Sequence, residues 1–479
     1  MTTAPPSAGS PDAPAVASAS FGAFVARAYA RGELVVQPRM GFGDPGLMRE
    51  GLERTRAAEA VTVGTLTLDS YTRVNDLPAA RRAVAEGVPL NGYPLCTHSP
   101  AVSRDLLDGV HGPRFPVQVR HGSPKPEHIV AALLSVGLDA TEGGPVSYCL
   151  PYGRTRLDEA VASWRTACAM LAAAGGTTTD GTTTDGRTTG GRTAGGWTAG
   201  GGAVGRRRAD ARSADGEPAA HGDTTRLPHL ESFGGCMLGQ LCPPSMLVAI
   251  SVLEGVFFAR HGLRSISLSY AQQTSPAQDL EAMAALRALS DELLPDIDRH
   301  LVVYAYMGVY PTTRSGALSL LEAAARLAVE SGAARLIVKT AAEAHRIPTI
   351  ADNVEALETA ARAARSAVRR PPDASALDTE VYAEARALVH TVLGLHEDIG
   401  EALLLAFRQG LLDIPFCLHP DNAGLARSFI DSDGRLRWSD TGRLPLPVTA
   451  VAAARKLTSA DLLTALTRVQ RTYDPGGIR

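Results

Sequence analysis

Short apolar runs alternate with helix-length amphipathic stretches along most of this chain, and that alternation restricts the fold more than any other feature. The runs are Leu34–Pro38, Val61–Leu68, Phe115–Arg120, Pro145–Cys149, Ile266–Tyr270, Leu301–Met307 and Arg335–Val338. Helix-length stretches such as Ala317–Ser331 lie between several of them. Strands buried on both faces, joined by helical crossovers, belong to parallel sheets. With 479 residues, 45% of them hydrophobic, the chain can build a large core. A (β/α)8 TIM-type barrel needs about 250 residues or more. The expected fold is therefore α/β: such a barrel with an N-terminal tail, an insertion and a C-terminal extension. A doubly wound sheet is the rival. Against it, no Gly-x-Gly-x-x-Gly follows the first strand and there is no P-loop.

Two segments cannot contribute to that core. Residues 1–20 are rich in Ala, Pro and Ser and read as a disordered tail. Residues 175–226 are low-complexity, with five-residue repeats of the type Thr-Thr-Thr-Asp-Gly and Arg-Thr-Ala-Gly-Gly. They read as a solvated insertion. The expected division is a barrel over 21–395, carrying that insertion, and an extension over 396–479.

Bulk properties exclude several function classes. A net charge of −3 gives no electrostatic case for nucleic acid or an anionic membrane. The apolar stretch Met246–Ala259 is interrupted by Glu254 and is too short to span a bilayer. The first twenty residues lack the basic start and apolar core of a signal peptide. Six cysteines at 96, 149, 168, 236, 242 and 417 form no Cys-x-x-Cys, which argues against a structural metal site or a disulfide framework. A cytoplasmic protein with reduced thiols is expected.

The chemistry gathers at the ends of the predicted strands. One ends in Gln37-Pro38-Arg39-Met40-Gly41, another in Asp69-Ser70-Tyr71-Thr72-Arg73, a third in Arg120-His121-Gly122. In a barrel all C-terminal strand ends open on one face, where ligands bind. Three strands thus bring Arg39, Arg73 and Arg120 to one rim. Guanidinium groups grip carboxylates bidentately. Glu142 supplies the opposite sign, either to hold or deprotonate an ammonium group or to pair with one of the arginines. Tyr148 and Tyr152 flank Pro151, and strand alternation would turn Cys149 away from Tyr148. The inventory suits a small zwitterionic dicarboxylate. Lys339 stands out because the chain has only three lysines among 47 basic residues. It is open to two readings, a Schiff-base amine or a hydrogen-bond donor, with Glu343 one turn on as a possible ion-pair partner.

Those motifs, taken in order, resemble the large (epsilon) subunits of the glutamate mutase family, also called methylaspartate mutases, which depend on adenosylcobalamin. The resemblance rests on Gln37-Pro-Arg39-x-Gly41, Asp69-x-Tyr71-Thr72-Arg73-x-Asn75, Leu90-Asn91-Gly92-x-Pro94, Arg120-His121-Gly122-x-Pro124 and Glu142-Gly-Gly-x-x-Ser147-Tyr148-x-x-Pro151-Tyr152. Further on come Pro243-Pro244-Ser245-Met246, Met307-Gly308, Lys339-Thr340-x-x-Glu343-Ala344, Ile347-Pro348-Thr349, Asp413-Ile414-Pro415-Phe416 and Asn422-Ala423-Gly424. It runs from about residue 33 to about residue 440, interrupted by the insertion.

The resemblance implies a barrel enclosing substrate and adenosyl group, and a radical carbon-skeleton rearrangement between glutamate and 3-methylaspartate. It places Arg39, Arg73, Arg120, His121, Glu142, Tyr148 and Tyr152 on the substrate, with Glu142 also catalytic. It places Gly41, Asn91, Pro151, Tyr310, Lys339, Glu343 and Ile347 on the cofactor. Tyr310 stands where the family usually has Phe, Cys149 replaces a polar residue and Met40 a small one. The cobalamin motif Asp-x-His-x-x-Gly is missing, since Asp296 and His300 have the wrong spacing. A separate small subunit carrying it is therefore implied, in an assembly of two large and two small chains. Within the resemblance the substrate could also be a related dicarboxylate; outside it, the residues admit a Lys339-dependent aldolase or decarboxylase, or a non-catalytic partner subunit.

Overall fold

The computed structural model describes residues 20–42, 44–67, 104, 107–151, 155–175, 227–236, 241–370, 377–446 and 458–474. Eight parallel strands form its centre: β1 (Val35–Gln37), β2 (Gly64–Thr67), β3 (Val117–Arg120), β4 (Ala140–Gly143), β5 (His229–Ser232), β6 (Ser265–Ala271), β7 (Asp298–Tyr304) and β8 (Arg335–Ile337). They lie in the order β1-β8-β7-β6-β5-β4-β3-β2. A parallel bridge from Val36 to Thr62, just before β2, joins the two ends of that order. The sheet thereby closes into the expected barrel.

Helices α1 (Phe21–Ala30), α2 (Pro45–Arg56), α3 (Pro126–Ser135), α4 (Leu157–Gly175), α5 (Pro244–Arg260), α6 (Pro276–Leu293), α7 (Arg314–Glu330) and α8 (Ile350–Ser366) accompany the strands. Their starts follow capping chemistry. Asp44 accepts the Leu47 N–H ahead of Pro45, and Thr349 and Asp352 form a reciprocal capping box on α8. Beyond them come α9 (Glu380–Leu393), α10 (Ile399–Gln409), the hairpin β9 (Arg427–Ile430) and β10 (Leu436–Asp440), then α11 (Ser459–Leu466) and α12 (Arg468–Tyr473). One apolar cluster runs from Val36 to Leu444, so barrel and later helices share a core. Within it α5 is buried on nearly every side, packed between the sheet and α9.

Three sequence expectations need correction. Pro145–Cys149 is not a strand. The strand is Ala140–Gly143, and the chain then coils: Gly144 O accepts the Tyr148 N–H at 3.1 Å and Val146 O the Leu150 N–H at 3.0 Å. Pro145 has no N–H to donate to a ladder, and buried Glu254 of α5 captures the next two, Val146 N–H at 3.1 Å and Ser147 N–H at 2.8 Å. Strand β5 was not anticipated. Finally, Ser20 and Gly175, assigned to the tail and the insertion, belong to helices: the Ser20 hydroxyl caps α1 and Gly175 ends α4. The tail over 1–19 and the repeats over 176–226 lie outside the described residues.

The barrel interior is unusually polar at mid-height, where apolar branched side chains dominate most barrels of this type. Gln37 donates to Thr65 at 3.0 Å and to Gln118 at 2.8 Å. Arg335, with no solvent exposure, forms an ion pair with Glu231 and donates to Gln37 and to Ser267, the last at 3.1 Å. Below it the His229 and His300 rings stack at 4.9 Å. Phe21 of α1 packs on His229 at 5.3 Å and beneath the Arg335 guanidinium at 5.1 Å, at the end of the barrel where strands begin.

Candidate active site in the barrel mouth

Arg120 is the last residue of β3 and Glu142 the third of β4, so neighbouring strands deliver both to the opening. Their side chains are almost wholly buried and form an ion pair at 2.7 Å. Two phenols complete the carboxylate's shell. Tyr148 donates to Glu142 Oε1 at 2.7 Å, and Tyr304, ending β7, lies 2.8 Å from Oε2. Arg120 also donates to the Tyr304 hydroxyl at 3.1 Å. Burial pushes the Glu142 carboxyl upward; Arg120 opposes that shift, and Glu231 adds to it.

The loop that aims Tyr148 is fixed by Glu254, whose carboxylate also accepts the Ser147 and Ser232 hydroxyls at 3.0 and 2.8 Å. Gly144 is required there, because a Cβ would sit about 2.1 Å from that carboxylate. Sequence reading noted Glu254 merely as a break in an apolar stretch. Cys149 does point away from Tyr148, but because of the coil and not strand alternation. Its thiol donates to Thr155 O at 3.3 Å beside His419, and burial raises it to about 12, so it stays protonated.

His121 packs edge-on against Tyr148 at 5.1 Å and over Trp164 at 6.2 Å. Its Nδ1 accepts the Ser123 N–H at 3.2 Å, so Nε2 carries the proton of the neutral ring. That Nε2 is buried without a hydrogen-bond partner among the described residues. Burial, and then Arg120, push His121 down to about 3. An unfolded His takes a proton below about pH 6.5, whereas folded His121 refuses it until about 3, so its contribution to stability falls as pH drops through that window. Nuclear magnetic resonance of histidine-labelled protein should show no His121 titration between about pH 5 and 8. A midpoint near neutrality would contradict this environment.

A second group of predicted residues meets at the end of β8. Lys339 Nζ lies 3.3 Å from Glu343 and 5.4 Å from the Tyr310 ring centroid. Asp474, just after α12, accepts the Thr312 N–H at 2.5 Å and Thr313 N–H at 3.3 Å, tying down the loop that carries Tyr310. Arg39 is half-buried and donates to the Met307 sulfur at 3.6 Å. Gly41 is packed so tightly that a Cβ would meet the Thr67 side chain at 2.5 Å. Pro151 ends the coil after Glu142, and Ile347 is 55% exposed. Arg73, Asn91 and Tyr152 lie outside the described residues.

The family model described as methylaspartate mutase E chain matches residues 16–177 and 227–460. The chain belongs to the methylaspartate mutase E chain family. Similar curated proteins carry the name glutamate mutase epsilon subunit. The one from Escherichia coli O157:H7 is 28% identical over 89% of this chain and 81% of its own length. That from Desulfitobacterium hafniense is 29% identical over the same shares. A third, from Haloarcula marismortui, is 27% identical over 81% of this chain and 72% of its own. Membership of the methylaspartate mutase E chain family makes the protein a carbon-skeleton isomerase and implies cobalamin dependence. The epsilon-subunit name of the relatives implies a partner chain. The family match stops at 177 and resumes at 227, leaving out nearly all of the repeat segment.

The residues of the second group fit an adenosyl moiety. Glu343 can accept from ribose hydroxyls, Lys339 can donate, and the buried Tyr310 hydroxyl has no hydrogen-bond partner among the described residues. Tyr304 and Glu231, central to the mouth, were missed by sequence reading. Among the described residues no cluster could hold a metal ion, and no helix is long and apolar enough to cross a membrane.

Proposed function

We propose that this chain is the substrate-holding large subunit of an adenosylcobalamin-dependent mutase that interconverts L-glutamate and 3-methylaspartate. The observation that carries the reading is the buried Arg120–Glu142 pair with two phenols on its carboxylate. An amino dicarboxylate presents a carboxylate and an ammonium group. Each can take one member of the pair: the carboxylate matches the Arg120 guanidinium and the ammonium group matches Glu142, so no buried charge is left unmatched. Arg39 and Arg73 complete the grip on the carboxylates, and His121 and Tyr152 add donors. Glu142 holds the ammonium group and can accept its proton. Burial of Arg120, His121, Glu142 and Tyr148 keeps water from the reacting carbons.

Lys339, Glu343 and Tyr310 hold the adenosyl group, with Gly41, Asn91, Pro151 and Ile347 lining its path. When bound, adenosylcobalamin supplies the organic radical that removes and returns a substrate hydrogen. A cobalamin-binding small subunit carrying Asp-x-His-x-x-Gly brings most of that cofactor, in an assembly of two large and two small chains in the cytoplasm. The barrel over 21–395 carries the chemistry and 396–479 extends it.

An aldolase reading would need Lys339 as a free amine. Its contacts with Glu343 and the Tyr310 ring favour the charged ammonium instead. Borohydride added with a keto acid should therefore leave Lys339 unmodified; a reduced adduct at Lys339 would sink the mutase reading. The direct test is an anaerobic assay of the full chain with a cognate small subunit and adenosylcobalamin. Conversion of glutamate to 3-methylaspartate is expected, and no conversion with a competent partner would refute it.

A further inference from the structure

The Tyr304 hydroxyl has more acceptors around it than it has hydrogens. It lies 2.8 Å from Glu142 Oε2, still closer to Glu231 Oε1, and 3.1 Å from Arg120 Nη1. A phenol offers one hydrogen and two lone pairs. Arg120 is a donor only, so it occupies a lone pair. The single O–H can reach one of the two carboxylates. Were both ionised, the remaining contact would set two lone-pair-bearing oxygens against each other in a site closed to water. One additional proton, on either carboxyl, turns that contact into a hydrogen bond and completes the count.

We propose that Tyr304 is a positioning residue through which Glu142 and Glu231 share one proton in the free protein, and that a substrate ammonium group arriving at Glu142 sends that proton to solvent. The step balances. The carboxyl O–H bond breaks, the proton passes to water or buffer, and the ammonium N–H groups replace it as donors to the carboxylate. Tyr304 then donates to Glu231 alone. The proposal rests on the substrate reading above only for its second half.

The groups facing this trio are few. From β3 come Arg120 and the amide of Gln118, which donates to Glu231 at 3.3 Å. The coil after β4 contributes Tyr148. Ser267 on β6 and Arg335 on β8 face Glu231. Nearby His121, His229 and His300 are all driven towards the neutral form, chiefly by burial, and the Cys236 thiol is held protonated. Two arginines therefore face two carboxylates, with no other ionised group among these neighbours. Burial would raise both carboxyls. Arg335 and Arg120 reverse this for Glu231, whereas Glu142 stays above its ordinary range and is the better seat for the proton.

Tyr304→Phe tests the idea while keeping the ring that packs on Phe233 at 5.5 Å. Infrared difference spectra of the free full-length chain, wild type minus variant near neutral pH, should show one protonated carboxyl lost. The subtraction removes the bands of Glu254, Asp279 and Glu384, which burial places at about 7. Calorimetric binding of glutamate in two buffers of different ionisation enthalpy should show close to one proton released by wild type and close to none by the variant. Glu231→Gln, which keeps the shape and removes one carboxylate, should abolish the release as well. An absent difference band, or equal proton release in wild type and both variants, overturns the proposal. If the band is present but no amino dicarboxylate binds, the substrate reading fails and the shared proton is supported.

Discussion

Glu142→Gln should lower glutamate turnover about 100-fold or more, the usual scale for loss of a positioned acid–base group, and Arg120→Met should be at least as damaging. The two differ in what else they disturb. Glutamine keeps the shape of Glu142 and leaves Tyr148 a carbonyl to donate to. Methionine at 120 removes the guanidinium that lies 2.7 Å from Glu142 and also donates to Tyr304, leaving Glu142 with no cation when it ionises, a situation that costs about 3–5 kcal/mol in comparable buried pairs. Steady-state assay of the assembled enzyme, with thermal unfolding of each variant, separates the two effects. Wild-type turnover in both variants would remove the clamp from the account.

Arg335→Met should be the most destabilising single change in the barrel interior. It deletes the cation bound to Glu231 and the donor to Gln37 and Ser267, all inside the sheet and away from solvent. Leaving Glu231 buried without it is expected to cost about 3–5 kcal/mol. Adding Glu231→Gln should recover a large part of that loss, because the orphaned charge disappears with its partner. Denaturant unfolding of both single variants and the double variant gives the coupling directly. A single variant as stable as wild type would mean that water or rearrangement satisfies Glu231, and that the polar layer carries little of the barrel's stability.

The barrel was legible because its strands are apolar runs closed by turns. Six of the seven predicted runs coincide with strands, including those ending at Arg120 and Tyr304. The two strands missed, β4 and β5, are the ones whose inward side chains are carboxylates: Ala140-Thr-Glu-Gly143 and His229-Leu-Glu-Ser232 do not read as apolar. Buried carboxylates hid the strands there, since they stand where the apolar residues that signal a strand would be. Arg120, Glu142 and Tyr148 were recognisable because they sit in one short stretch beside glycines. Tyr304 reaches the same point from 184 positions along the chain from Arg120, a separation that no local pattern encodes. Glu254 could have been found: a lone carboxylate within an apolar helix must have partners, and its burial demands several.

The crossover from β4 to β5 runs through α4, which ends at Gly175, and the next strand begins at His229. The two ends of that connection, Gly175 and His229, therefore sit where strands begin, at the end of the barrel opposite Arg120 and Glu142. A gain or loss of one five-residue repeat falls on a connection whose two anchors are set by the barrel itself. A longer or shorter segment between those anchors costs the barrel little, since the entropy of closing a loop grows only slowly with its length.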